Sequence, residues 1–152
     1  MTTKIADVAA LKEWVDKPLG KTGWHTISQE QIQAFADATG DHQWIHTDVE
    51  RARRESPFEQ PIAHGYLTLS LVPKLLAELL EVEEMGSVVN SGIEKLRLTA
   101  PVPAGSRVRL GATIKSVRDL PTGGSRVAFG ISVEVEGATK PALGGTVVYL
   151  YF

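Results

Sequence analysis

A carboxylate and an imidazole stand five residues apart in the most informative segment of the chain, at Asp41 and His46. On one continuous α-helix, side chains five residues apart would point about 140° away from each other. Gly40 directly precedes Asp41, and a glycine at this point can end a helix and turn the chain. We therefore expect the two side chains to meet in a loop. There they could take a proton from water and return it at neutral pH.

Two other interpretations of this segment remain open on the residues alone. Asp41 could cap a turn while His46 packs as an ordinary buried histidine. His42 and His46, four residues apart, could also bind a metal ion together with Asp41 or Asp48. That spacing aligns two ligands only on a helix, and the segment is predicted to be a loop. The acid–base pair is therefore favoured over a metal site.

The second motif is His64-Gly65, which stands immediately before a long apolar segment. The first backbone N–H groups of a helix have no partner inside the helix and lie at its positive end, so they can polarise a carbonyl oxygen. Glycine would let a ligand approach this backbone closely. The simpler interpretation is that Gly65 relieves crowding at the start of the helix and that His64 is structural.

Two helices are predicted on either side of the first motif. Ser28 and Gln31 form a capping-box pair that starts a helix ending at Gly40. Thr47 and Glu50 repeat the capping-box pattern and predict a second, short and charged helix. The Asp41 to His46 segment is thus predicted to be a loop between two helix ends.

The remaining elements follow from the spacing of apolar residues. Residues 1–20 are predicted to form an accessory N-terminal helix, since apolar residues recur there at roughly helical intervals. The segment from Gly65 to Leu80 predicts one long central helix that Pro73 kinks. Alternating or apolar segments predict four strands: Val88 to Leu98, Arg107 to Val117, Ser125 to Glu136, and Gly145 to Phe152. The predicted class is α+β, with helices first and then one antiparallel sheet.

Composition narrows the class of protein. The 152 residues are predicted to form one domain, 1–152, and the formal charge of -2 argues against a nucleic-acid partner. The chain has no cysteine, which excludes disulfides, thiolate nucleophiles and cysteine-bound zinc. Charges interrupt the apolar residues at the start, unlike in a signal peptide, and the longest apolar segment is too short to span a bilayer. We therefore expect a cytoplasmic protein with no membrane partner.

These motifs resemble those of the MaoC-like dehydratase family, which includes (R)-specific enoyl-CoA hydratases. Asp41 and His46 have the Asp-x-x-x-x-His spacing of that family's hydratase motif. The sequence Ala63-His64-Gly65 before an apolar helix is similar to the start of the family's central helix. The resemblance covers most of the chain outside residues 1–20.

The resemblance implies a hot-dog fold, in which an antiparallel sheet wraps around the helix that starts at Gly65. It implies a hydratase that interconverts 2-enoyl-CoA and (R)-3-hydroxyacyl-CoA, with the acyl group on coenzyme A or on acyl carrier protein. Asp41 and His46 would hold and activate the water. The backbone N–H of Gly65, with His64 beside it, would bind the thioester oxygen. We expect no cofactor and no metal ion.

The resemblance also implies a homodimer with an acyl-thioester tunnel near its interface. The last predicted strand supports a homodimer independently, because Val147 to Phe152 is apolar on both faces and a small monomer should not expose so much apolar surface.

Two departures from the family pattern bear on the site. Gln43 and Trp44 stand where the family motif commonly has Asn and Pro. Pro73 stands where some family hydratases have a serine on the central helix, and Ser70 is nearby. The alternative functions are a hot-dog acyl-CoA thioesterase and a non-catalytic acyl-thioester binding protein. The presence of both an aspartate and a histidine in the first motif argues against the non-catalytic alternative.

Overall fold

The computed structural model describes all of residues 1–152 as a mixture of helices and strands. The helices are α1 (Gln29–Thr39), α2 (Trp44–Thr47), α3 (Val49–Glu55), α4 (Gly65–Ser70) and α5 (Val72–Leu79). The strands are β1 (Thr3–Asp7), β2 (Pro18–Lys21), β3 (His25–Thr26), β4 (Leu80–Glu84), β5 (Val88–Leu98), β6 (Arg107–Asp119), β7 (Ser125–Val135) and β8 (Leu143–Tyr151). The α+β class predicted from the sequence is confirmed.

The main sheet is antiparallel and follows the strand order β2-β6-β7-β8-β5, with β3 also paired to β6. Its long strands β5 to β8 lie where the sequence pattern predicted them. Every second residue of β6 and β7 is buried, as their alternation predicted: Val108, Leu110, Ala112, Ile114, Val127, Phe129, Ile131, Val133 and Val135. This face of the sheet forms much of the hydrophobic core.

The central helix is divided into α4 and α5 at Leu71, and α5 packs against β6. Pro73 lies in the first turn of α5, where a backbone N–H would have no acceptor inside the helix. Proline therefore removes no hydrogen bond of α5. The predicted interruption is therefore confirmed. The predicted end at Leu80 is wrong, because Leu80 already begins β4. No helix of the protein is both long enough and apolar enough to cross a membrane.

The prediction of an accessory helix over residues 1–20 is wrong. Residues Thr3–Asp7 form β1, which pairs in parallel with β4, and only Ala9–Trp14 form a short 3₁₀ helix. The apolar spacing that suggested one helix comes from two elements that each bury a side chain, Ile5 on the strand and Leu11 on the 3₁₀ helix. Tertiary packing, rather than helical periodicity, sets the pattern here.

The last strand does not expose the two apolar faces from which a dimer was predicted, and this finding does not test the dimer itself. β8 lies between β7 and β5, so most of its apolar side chains are buried within one chain, while Phe152 at the end of the predicted strand is about half exposed. The exposed apolar strand is instead β5, which lies at the edge of the sheet and pairs only with β8. Several of its apolar side chains are about half exposed: Val88, Val89, Ile93 and Leu98.

Candidate active site

Asp41 directly follows the end of α1, and local sequence determines both ends of that helix. The Ser28 hydroxyl accepts a hydrogen bond from the Gln31 N–H at 3.1 Å, as the capping pattern predicted. Gly40 ends the helix in the left-handed region, with φ of 81°, and its N–H donates to the Ala36 carbonyl. Because the chain turns at this glycine, Asp41 leaves the helix axis and its side chain remains half exposed.

His46 lies in a single helical turn, α2, rather than in the predicted loop. The Gln29 amide donates to the His46 carbonyl at 2.7 Å and so ties this turn to α1. The turn also moves the cap of the next helix. Asp48, not the predicted Thr47, accepts from the Arg51 N–H at the start of α3, because the Thr47 hydroxyl already donates to the carbonyls of His42 and Gln43, just before α2.

The His46 ring is buried and has a fixed orientation. Its Nδ1 lies 2.7 Å from the carbonyl oxygen of Ile62, and since a carbonyl can only accept, Nδ1 carries the proton. Burial has the largest effect on this histidine and lowers its pKa below the ordinary value of 6.5. The bond to Ile62 raises the pKa, and nearby His64 lowers it further. His46 is therefore neutral at neutral pH, and its Nε2 has a free lone pair.

His64 is the most buried residue of the site, at 3% exposure. Its Nε2 donates to the backbone carbonyl of Asp41 at 2.9 Å and lies 3.9 Å from the carboxylate of the same residue. Its ring stacks on His46, with ring centroids 3.8 Å apart, and meets Phe35 at a tilt on another side. His64 thus contacts both members of the Asp41 and His46 pair.

The structure brings together all four residues singled out in the two motifs. One oxygen of Asp41 and one ring nitrogen each of His46 and His64 lie within 4.8 Å of one another. These residues and Gly65 line a cavity of about 230 Å³, together with Phe35, Thr39, Tyr66 and Leu98. A single water oxygen bonded to two such groups would separate them by roughly 4.5–5 Å, so the spacing fits a bound water.

The metal site considered from the sequence is not formed as predicted. His42 is exposed and its Nδ1 faces Asp37 at 3.7 Å, away from His46. Asp48 uses its carboxylate to cap α3. The cluster that could supply metal ligands is instead Asp41 with His46 and His64.

Gly65 is the first residue of α4, and its N–H has no acceptor within the protein. A side chain at this position would meet Leu98, because a Cβ built on Gly65 would lie 2.5 Å from the Leu98 Cδ1. Glycine therefore keeps an unbonded N–H at the wall of the cavity and lets strand β5 approach the helix closely. The neighbouring serine of the central helix, Ser70, donates to the Tyr66 carbonyl within its own helix.

Two contributors to the site were not predicted from the sequence. Ile62 acts through its backbone carbonyl, which any residue type could supply, so no sequence signal could have identified it. Leu98 reaches the cavity from β5, more than thirty positions further along the chain, and the resemblance alone gave no indication of that contact.

Comparison with known proteins agrees with this fold. Residues 11–135 match the family described as "MaoC like domain". The chain is 46% identical over 138 residues to 3-hydroxyacyl-thioester dehydratase Z of Mycobacterium tuberculosis, covering 91% of this chain and 89% of that protein.

Solved structures show the same fold. The R-hydratase PhaJ1 from Pseudomonas aeruginosa matches with a TM-score of 0.71 at 24% identity, over 96% of this chain and 85% of that one. The (R)-hydratase from A. caviae involved in PHA biosynthesis matches with a TM-score of 0.72 at 23% identity, over 89% of this chain and 94% of that one. The predicted hot-dog fold is confirmed, and this chain belongs to the MaoC-like dehydratase family.

Proposed function

We propose that the protein is a hydratase–dehydratase that interconverts 2-enoyl-CoA and (R)-3-hydroxyacyl-CoA thioesters. The observation that carries this proposal is the arrangement of Asp41 and His46 in one cavity, with the His46 tautomer set by the Ile62 carbonyl. The relative from Mycobacterium tuberculosis, whose name specifies a 3-hydroxyacyl-thioester dehydratase, supports the same reaction class. The acyl carrier is coenzyme A or acyl carrier protein, and no cofactor is needed for the chemistry.

In the direction of hydration, a water molecule sits between Asp41 and His46. The Asp41 carboxylate accepts a hydrogen bond from the water, and the free Nε2 of His46 takes its other proton. The remaining hydroxide forms a bond to C3 of the enoyl group, and the electrons of the double bond move toward the thioester oxygen. His46 then returns the proton to C2, so no proton is gained or lost overall. Dehydration follows the same steps in reverse.

Negative charge builds on the thioester oxygen as water attacks, and the site needs a hydrogen-bond donor there. The N–H of Gly65 is suited to this role, because it has no acceptor in the protein and lies at the wall of the same cavity. His64 contributes to substrate binding indirectly. Its bond to the Asp41 carbonyl and its stacking on His46 hold the two catalytic groups at their spacing.

The working protein is a homodimer, and β5 forms its interface. Long edge strands with exposed apolar side chains are prone to pair with another chain, and β5 is an eleven-residue strand of this kind. Leu98 at the end of β5 lines the catalytic cavity. Pairing through this strand would therefore place the second subunit close to the acyl-thioester tunnel.

Stereochemistry gives a direct test of the proposed reaction. The purified protein is incubated separately with (R)- and (S)-3-hydroxybutyryl-CoA, and formation of the conjugated double bond is followed by absorbance. Dehydration of the (R) substrate alone supports the proposal. Equal dehydration of both, or of the (S) substrate alone, contradicts the assigned stereochemistry, and no dehydration of either contradicts the reaction.

A further inference from the structure

The largest cavity of the protein lies beyond the catalytic residues, between α5, β4, β5 and β8. Its volume is about 450 Å³, within the range of roughly 300–1,000 Å³ that is usual for small-molecule sites. Most of its wall is apolar, with Pro73, Leu76 and Val88 among the lining residues. Nothing in the proposed chemistry uses this space.

Two tyrosines, Tyr149 and Tyr151, line the same cavity from alternate positions of β8. Each is only 5% exposed. Neither hydroxyl bonds to another group of the protein, and neither is among the enclosed side-chain atoms that lack a partner, so both hydroxyls open onto the cavity. Burial raises the pKa of both phenols, so both remain protonated and able to donate. The cavity thus has a mostly apolar wall, polar side chains at Thr2, Glu81 and Asn90, and two phenol donors that have no acceptor in the protein.

A second cavity, between the central helices and β5, adjoins the large one on the side nearer to Gly65. This second cavity of about 290 Å³ shares Pro73, Asn90 and Tyr149 with the large one, and it extends along α4 to Leu69. Leu69 is one helical turn beyond Gly65. Pro73 follows Gly65 by eight residues, which at a rise of 1.5 Å per residue puts the large cavity roughly 12 Å or more from the thioester.

We infer that the large cavity binds the distal part of the acyl group, and that Tyr149 and Tyr151 select acyl groups that carry an oxygen substituent there. This inference rests on the proposed function. A plain hydrocarbon chain would fill the apolar part of the cavity but leave both phenols without an acceptor. The oxygen of a hydroxyl or ketone group could accept from them. A site built to hydrogen-bond an oxygen discriminates strongly against the analogue that lacks it.

The test compares dodec-2-enoyl-CoA with derivatives that carry a hydroxyl group at C8, C10 or C12. The wild-type protein should hydrate at least one derivative with a kcat/KM at least about tenfold above that of the unsubstituted chain. Tyr149→Phe and Tyr151→Phe remove only the hydroxyl groups, and together they should bring this ratio close to one. Thr146→Val removes a hydroxyl from the opposite face of the same strand and should leave the ratio unchanged.

The inference is overturned if the wild-type protein shows no preference for any of the three derivatives. It is equally overturned if the double Phe variant keeps the wild-type preference. Crotonyl-CoA separates this result from the proposed function, because its short acyl chain does not reach the cavity. Its hydration should be the same in wild-type and Phe variants. A protein that hydrates crotonyl-CoA without preferring an oxygenated chain retains the proposed function and refutes the selection by tyrosine.

Discussion

The ring of His64 stacks on the ring of His46, with the two centroids 3.8 Å apart and the planes inclined by 24°. The two histidines come from different motifs, and each donates one hydrogen bond to a backbone carbonyl, His64 to Asp41 and His46 to Ile62. A proton on His46 would lie close to a second imidazole in a buried site. The contact therefore favours the neutral form of His46, the form that can accept a proton from water.

Activity should depend on pH through this histidine. Burial lowers the pKa of His46 below 6.5, so the base is already available at pH 6.5, and kcat/KM should fall only as the pH drops through the lowered pKa. Stability should follow the same direction. Between the two pKa values the unfolded chain binds more protons, so the contribution of neutral His46 is present above pH 6.5 and is lost as pH falls. A profile of kcat/KM from about pH 5 to pH 8 tests this. An acid limb centred above 6.5 would contradict it.

Removing either catalytic group should lower the rate far more than the stability. Asp41→Asn and His46→Gln should each reduce kcat at least about a hundredfold, the usual scale for general acid–base catalysis. Thermal midpoints should move little, since Asp41 is half exposed and glutamine can keep part of the His46 packing. Asp37→Asn and His42→Gln are matched controls outside the cavity and should retain wild-type rates. Near-normal rates in both catalytic variants would show that the assigned roles are wrong.

A methyl group at Gly65 should impair catalysis more than folding. Gly65→Ala places a Cβ 2.5 Å from the tip of Leu98, which is half exposed and can move aside. The thermal midpoint should therefore fall by only a few degrees, about the effect of 1 kcal/mol in a domain of this size. Since the displaced leucine lines the catalytic cavity and the new methyl lies beside the unbonded N–H, kcat/KM should fall at least about tenfold. Full activity of Gly65→Ala would contradict the proposed binding of the thioester oxygen by the Gly65 N–H.

The edge strand predicts the state of association. Static light scattering at micromolar concentration should give the mass of a dimer for the wild-type protein. Val89→Lys adds a charge to an exposed position of β5 and should shift the protein toward the monomer. Leu120→Lys, at the turn between β6 and β7, should leave the mass unchanged. A wild-type protein that is monomeric at this concentration would contradict the interface through β5.

Much of the fold could be predicted, because apolar residues alternate along β6 and β7 and this alternation matches the side chains that are buried. The N-terminal segment could not be predicted in the same way. Ile5 and Leu11 fit a helical interval, but they belong to two different elements that both pack into the core. The strand β1 forms its ladder with β4, which lies far along the chain. Pairing of strands that are distant in the chain leaves no local pattern in a segment this short.

The candidate site also has one part that the sequence predicted and one part that it did not. The spacing of Asp41 and His46, with a glycine before them, is a local feature of the sequence. It predicted that the two side chains lie close together. The bonds that set their orientation go to the backbone carbonyls of Ile62 and Asp41, and carbonyl acceptors have no residue signature. The spacing of the first motif also gave no indication that His64 would stack on His46, because that contact depends on how α4 approaches α2.

We propose that the site adds water to a conjugated thioester rather than hydrolysing it. The most direct measurement follows crotonyl-CoA, in the presence of a metal chelator, by loss of double-bond absorbance and by release of free thiol in the same sample. We expect loss of the double bond, accumulation of 3-hydroxybutyryl-CoA and no thiol release. Prompt thiol release from crotonyl-CoA and butyryl-CoA alike would instead identify a thioesterase. Activity lost in chelator and restored by zinc would contradict the metal-free mechanism at Asp41 and His46.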